Sequence, residues 1–497
     1  LSGIKKLAGQ TLWYGLSSIA ARFINYLLTP LLTYAATVKT ADFGRQSLIY
    51  SAIPVLSAIF TYGFETTYFR FSSRQEYKTT IYSTSFISLL FSTLLFTWLL
   101  WNNRASIASV AGCSDIPLVI QFSIFIIAID TLSIIPFARL RQEERPVKYA
   151  FVKISGIVVN ILMVWFFVSY CPTHPAGWVR LVYNNQLNPL IYVFLANLVQ
   201  AIITLLLLGK ELLMVRFNFN AKLWKEMIIY AMPLVIVNLG GIVNETFDRI
   251  MLRAWLPGDA VYRDEQVGIY SACYKLSLLI SLFIQAFKMG AEPFFFKQAE
   301  GKNPQYTYAR VMKFFVIVIS FMFLAVSLFI PIWQGMVGPK YRVGLGVVPI
   351  LLLANMFLGI YYNLSIWYKL SNKTIVGTYI TLIGTVITCV VNYVFIPRFG
   401  YMASAWATFL CYGSMMVISF LWGQKEYRIP YAWKKLVAYM VIVVLLFFIH
   451  KGITRLLPNV YFSLVMGAIL TGAFGWFILL VEKKEFQKLP VIGKFIR

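Results

Sequence analysis

The 497-residue chain is 59% hydrophobic and only 13% charged, with a mean hydropathy of +0.73. Soluble globular proteins carry about 25% charged residues, so a soluble fold is excluded. The net charge of +25, from 44 Lys+Arg against 19 Asp+Glu, would suggest nucleic acid in a soluble protein. In a chain this apolar it reflects cytoplasmic loops rich in Lys and Arg, facing anionic lipid, and no nucleic-acid partner is expected.

Apolar runs of about 20 residues, long enough to cross a bilayer core of about 30 Å, predict an all-α polytopic membrane protein with about fourteen transmembrane helices. The first span, Leu12–Tyr34, follows "LSGIKKLAGQTLWYG" directly, so no cleavable signal peptide is expected. Ser18, Arg22, Asn25 and Thr29 keep helical spacing along it and share one face. Span two, Ser47–Phe64, carries Ser47, Tyr50, Pro54, Ser57 and Thr61 and ends at Glu65. Thr80–Trp101 follows, then Pro117–Phe137 with Asp130 just before its inner end. Tyr149–Tyr170 and Leu190–Gly209 complete the first six.

Span seven, Met227–Leu252, is the most charged. Asn238, Gly241, Glu245 and Asp248 follow one face, and Glu245 and Arg249 stand at i and i+4. Pro233, Gly240–Gly241 and, in span two, Pro54 are predicted bending points, with Pro30 in span one. The eighth span, Val267–Phe287, adds Ser271 and Lys275. Phe314–Trp333, Val343–Ile366, Ile375–Ile396, Ala403–Trp422, Tyr431–Ile449 and Tyr461–Val481 complete the set. Backbone groups in hydrocarbon must be satisfied internally, so each span is a helix.

Lys and Arg concentrate in the loops on the side of both termini, which the positive-inside rule places in the cytoplasm. No loop is long enough for a catalytic domain. The five cysteines form no C-x-x-C pair, so neither a disulfide framework nor a metal site is expected. His174 and His450, the only histidines, are read as solvated residues of outer loops.

The sequence repeats. "DFGRQSLIY" (Asp42–Tyr50) and "QVGIYSACY" (Gln266–Tyr274) share G-x-x-S-x-x-Y: Gly44, Ser47 and Tyr50 against Gly268, Ser271 and Tyr274. "ARLRQEERPVKYAFVKISG" and "WYKLSNKTIVGTYITLIG" match at nearly the same six-span offset. Six spans is an even number, so the halves point the same way, related by an axis along the membrane normal. The expected division is an N-terminal lobe over 1–215, a C-terminal lobe over 216–424, and helices thirteen and fourteen with a tail over 425–497. Transporters built of such repeats bind substrate between the halves near the midplane, so a cavity is expected between the two six-helix lobes.

Charge inside a membrane helix is costly and faces protein or a wet cavity. Arg22, Arg249 and Lys275 stand on corresponding early helices of both halves and point to a cationic cavity for an anion such as phosphate, pyrophosphate or carboxylate, with Asn25 and Ser18 beside Arg22. The alternative is helix-packing glue, each cation tied to a buried acid; for Asp130 and Glu65 the two readings stand level.

The stretches "GIKKLAGQTLWYGLSSIAARFINYLLTPLLT", "ADFGRQSLIYSAIPVLSAIFTYGFETTYFRF", "YAMPLVIVNLGGIVNETFDRIML" and "VGIYSACYKLSLLISLFIQAFKMGAEPFFF" resemble oligosaccharide-lipid flippases of the O-antigen type. These form the polysaccharide-transporter branch of the multidrug/oligosaccharidyl-lipid/polysaccharide exporter superfamily. The resemblance implies two lobes of a fourteen-helix protein in the bacterial inner membrane. It implies alternating-access translocation of an undecaprenyl-pyrophosphate-linked oligosaccharide for O-antigen, capsule or exopolysaccharide synthesis, with polysaccharide polymerase and assembly proteins as partners. It also implies basic cavity residues for the pyrophosphate, for which Arg22, Arg249 and Lys275 are the candidates. No G-x-x-x-x-G-K stretch is present, so no nucleotide cofactor is expected. A proton or Na⁺ gradient is the expected energy source, with Asp130, Glu65, Glu245 and Asp248 as candidate carriers. Two rivals remain: a drug or organic-cation antiporter of the same superfamily, and a glycan polymerase or ligase, for which no D-x-D stretch or acid/base site is present.

Overall fold

The computed structural model describes residues 24, 26–72, 74–174, 177–216, 218–299, 303–371 and 373–487. In chain order its main helices are α1 (Leu28–Tyr34), α2 (Thr40–Thr61), α3 (Phe64–Ser72), α4 (Ile81–Asn102), α5 (Arg104–Val110), α6 (Pro117–Gln142), α7 (Pro146–Trp165) and α8 (Pro189–Leu207). The chain continues with α9 (Ala221–Trp255), α10 (Ala260–Gln298), α11 (Pro304–Ser327), α12 (Val347–Leu364), α13 (Thr374–Phe399), α14 (Tyr401–Glu426), α15 (Trp433–Leu456) and α16 (Val460–Val481). Eleven helices are long and apolar enough to cross a membrane, or thirteen if two bent pairs each count as one span. These thirteen take the places of predicted spans two to fourteen. Of the first span the described helix is α1. The protein is a multipass, all-helical membrane protein.

Local sequence sets the helix ends. Proline occupies the first turn of α6, α7, α8 and α11, where its missing N–H costs nothing. Side chains of Asn188, Asn220 and Asn459 accept from first-turn N–H groups of α8, α9 and α16.

The bends correct the sequence reading. Pro54 sits inside an unbroken α2. The 42° turn into α3 comes at Tyr62 and Gly63, both left-handed at φ 33° and 74°. In α9 the two parts Ala221–Pro233 and Asn238–Trp255 meet at 47°, so the break follows Pro233 and precedes Gly240–Gly241. Gly240 serves close packing instead: a Cβ there would touch Thr381 at 3.5 Å, and its carbonyl accepts from the Thr385 hydroxyl at 3.3 Å.

The chain divides into two compact units. One comprises Leu1–Lys275, Val337–Gly344 and Thr378–Cys411. In it α6 packs on α4 and α8, α8 on α7, and α2 on α9. Its aromatic core joins Phe64, Tyr68, Phe71 and Tyr82 to Leu223 and Met227 of α9.

The other unit comprises Leu276–Met336, Leu345–Gly377 and Tyr412–Arg497. There α11 packs on α12 and α15. The last two helices each bury one narrow stripe: Leu436, Tyr439, Val443 and His450 on α15; Ser463, Gly467, Phe474 and Ile478 on α16. Their remaining apolar residues, such as Trp476 and Phe448, are exposed, as lipid contact requires. His450 is therefore not a solvated loop residue. It is buried in α15, its ring Nε2 3.0 Å from the Ser463 carbonyl oxygen.

Just past α16, Glu482 is buried and accepts from Lys313 (2.7 Å), Tyr439 (2.7 Å) and Lys435 (3.1 Å), tying α11, α15 and α16 together.

Candidate functional site

The charged face of α9 is real and graded. Asn238, Gly241 and Glu245 are exposed, whereas Asp248 and Arg249, one turn on, are buried. Arg249 Nη1 donates to Asp248 Oδ1 at 3.0 Å and to the Glu245 carbonyl at 3.2 Å. The predicted Glu245–Arg249 ion pair is thus replaced by a neighbouring one, with Glu245 contributing its backbone. Tyr270 of α10 donates to Asp248 Oδ2 at 2.5 Å. The Arg249 guanidinium lies 4.2 Å from the centre of the Tyr274 ring. Asp248 is fully engaged and Arg249 largely neutralised.

Lys275 differs. Half-buried on α10, it is 5.4 Å from the centre of the Phe43 ring of α2. Among the described residues no carboxylate lies within ion-pair distance of it. Arg249 acts on it as a like charge. The exposed Glu245 carboxylate likewise has no hydrogen bond or ion pair among the described residues. The structure thus brings Lys275, Arg249, Asp248 and Glu245 into one neighbourhood around Tyr274, on which Glu245, Asp248 and Arg249 all act electrostatically. The Tyr26 hydroxyl is within electrostatic range of Tyr274. Ser18, Arg22 and Asn25 lie outside the described residues.

The other two candidates are elsewhere. Glu65, in α3 beyond the bend, is hydrogen-bonded to Arg141 of α6, both partly exposed. Asp130 on α6 is exposed and lacks a hydrogen bond or ion pair among the described residues. The charge that acts on it is Lys153 of α7, whose ammonium sits 5.5 Å from the Phe137 ring and 5.1 Å from the Tyr149 ring. Lys153 escaped the sequence reading, although a lysine within Tyr149–Tyr170 was signal enough.

A second feature was also missed because its arginines read as loop residues. Asp264, near the start of α10 and 1% exposed, accepts from Arg45 of α2 at 3.1 Å and Arg253 of α9 at 2.6 Å. Arg45 also reaches Asp115 at 2.8 Å. Beside this knot α2 and α10 cross at the two repeat glycines. A Cβ on Gly44 would lie 1.7 Å from the Asp264 carbonyl oxygen, and one on Gly268 would lie 2.4 Å from that of Thr40. Lys275 sits three helical turns, about 16 Å, along α10 from Asp264.

The polysaccharide biosynthesis protein family profile matches residues 7–299, more than half of the chain. The chain belongs to the polysaccharide biosynthesis protein family. No curated protein matches it in sequence. Among solved structures, this family member is similar to one titled lipid II flippase MurJ in an inward closed conformation. The TM-score is 0.71 at 12% identity, covering 95% of this chain and 99% of the other. It is also similar to an inward-facing multidrug resistance MATE family transporter of the MOP superfamily (TM-score 0.61, 14% identity, 87% and 95% covered). A mutant of the Vibrio cholerae MATE transporter VcmN gives a TM-score of 0.59 at 11% identity, with 85% and 97% covered. At these identities the likeness establishes the fold.

Proposed function

We propose that this member of the family is a flippase that carries an undecaprenyl-pyrophosphate-linked oligosaccharide across the bacterial inner membrane by alternating access, supplying O-antigen, capsule or exopolysaccharide synthesis. The observation that carries the reading is Lys275: a cation in a membrane helix, beside Arg249 and an exposed polar face of α9, without a carboxylate partner among the described residues. An unpaired ammonium in such a place is costly unless an anion visits it, and a pyrophosphate is an anion presented by a lipid. Arg22, Asn25 and Ser18 are proposed to complete the anion site from the first span, with Arg249 adding positive potential. The lobes proposed are 1–215 and 216–424, with 425–497 peripheral and both termini cytoplasmic. Mutual contact of the repeat glycines Gly44 and Gly268 supports the repeat, since equivalent positions meet only near the axis that relates them.

Coupling to a proton or Na⁺ gradient is proposed through Asp130 or Glu245, the two of the four candidate carriers with no ion pair among the described residues. Glu65 and Asp248 are the weaker carriers, since Arg141 and Arg249 hold them.

Lys275→Ala should reduce glycan export in cells about tenfold or more, the loss expected for one charge-assisted contact to phosphate, at unchanged membrane abundance. Lys275→Arg should retain part of it. Full export by Lys275→Ala would contradict the assignment. Uptake of an organic cation, abolished by Asp130→Asn, would favour the antiporter instead.

A further inference from the structure

A cavity stands apart from the Lys275 neighbourhood. In the first unit a half-open cavity of about 540 Å³ lies among α2, α5, α6 and the end of α9. That is the size of a small-molecule site. Its walls are Ile49, Ile53, Ile107, Ile124 and Ile127 with other aliphatic side chains. The hydroxyl of Ser123, also on the wall, is already spent on the Val119 carbonyl at 2.7 Å. Apart from the two arginines, the only other hydroxyl on the lining is that of Ser106, which is exposed, so a sugar or a polar solute finds few partners there. A hydrocarbon chain needs none.

Two arginines, Arg253 and Arg263, complete the lining, and they are unequal. Arg253 is neutralised by Asp264 at 2.6 Å and donates to the Val110 carbonyl at 2.8 Å. Arg263 makes only long bonds to backbone carbonyls, Asp259 at 3.3 Å and Arg253 at 3.5 Å. The Asp259 carboxylate caps the Tyr262 N–H instead, at 2.7 Å. Among the described residues Arg263 has no ion pair, and Glu265, two residues on, supplies none.

We infer that this cavity binds an anionic phospholipid from the leaflet on the Arg45–Asp264 side, with one acyl chain among the isoleucines and the phosphate on Arg263. A greasy pocket closed by an uncompensated guanidinium matches an amphiphile with a negative head, because guanidinium grips phosphate in a bidentate fork. The site does not depend on the flippase reading. A chain wedged among α2, α6 and α9 would steady the helices that carry the Arg45–Asp264–Arg253 knot.

The test uses the full chain, delipidated in detergent, with phosphatidylglycerol or phosphatidylcholine of identical acyl chains. Retention by native mass spectrometry and thermal stability are read together. Phosphatidylglycerol should be retained about fivefold better, the factor one membrane-facing arginine supplies, and should raise Tm further than phosphatidylcholine. Arg263→Gln should bring the two lipids to parity. Ile124→Trp, which fills the cavity, should remove the retention of both. Should that variant misfold, a diazirine-bearing phosphatidylglycerol acyl chain on the wild type gives the same answer, labelling α2 between Leu48 and Leu56 and α6 between Ile120 and Ile127. Equal retention of both lipids by wild type, an Arg263→Gln protein that keeps the preference, or labelling confined to other helices would overturn the proposal.

Discussion

At the scale of single residues, some charges of this protein are buried with their partners, whereas Lys275 and Glu245 have no ion pair among the described residues. Arg249 and Asp248 are nearly buried, their side chains 10% and 3% exposed. Replacing one partner of such a pair strands the other. Asp248→Asn should therefore cost roughly 3 kcal/mol, visible as a lower midpoint in thermal unfolding; a change within error would mean that Tyr270 and the Glu245 carbonyl suffice. Glu482 gives a pH test. Burial alone would raise its carboxyl, but hydrogen bonds from Lys313, Tyr439 and Lys435 outweigh it and hold the group below the ordinary value of 4.5. The folded state thus prefers the ionised form. Its contribution is complete above the unfolded value and fades as pH falls through the lowered folded one. Thermal stability of wild type should drop in acid below that range, while Glu482→Gln should start lower at neutral pH and drop less. The central residues were legible for the same reason that they are costly: Lys275, Glu245 and Arg249 interrupt apolar runs. Which acid holds which base was not legible, since Asp248 replaced Glu245 as partner through a side-chain rotation that spacing does not encode.

At the scale of elements, thirteen spans could be read because hydrocarbon thickness imposes a length and apolarity on each. The breaks were harder. Pro54 leaves α2 continuous, because loss of one N–H does not force a bend, whereas the left-handed Tyr62–Gly63 pair does, and a tyrosine in that conformation carries no sequence signal. Narrow buried stripes on α15 and α16 explain why these helices read as uniformly apolar: most of their apolar side chains are exposed, as lipid contact requires, and one stripe meets protein. The crossing of α2 and α10 depends on glycine. Gly44→Ala would drive a Cβ to 1.7 Å from the Asp264 carbonyl and should destabilise by about 3 kcal/mol or displace α10, loosening the Arg45–Asp264 pair. A cysteine pair in place of Arg45 and Asp264 would report displacement of α10 from α2 as slower crosslinking, and unchanged crosslinking and stability would refute the close approach.

At the scale of the whole molecule, the repeat in the sequence becomes a contact in space. Gly44 and Gly268, 224 residues apart, lie against one another. The knot of Arg45, Asp264, Arg253 and Asp115 beside them ties together α2, α9, α10 and the loop before α6. The anion site proposed around Lys275 sits three turns along the same helix, α10. The most direct measurement is a reconstituted flipping assay, with proteoliposomes containing a fluorescent polyprenyl-pyrophosphate oligosaccharide and a membrane-impermeant quencher outside. Wild-type protein should make nearly all of the lipid accessible, and Lys275→Ala should leave the inner half protected, as in protein-free vesicles. Equal accessibility with both proteins, or with neither, would contradict the account.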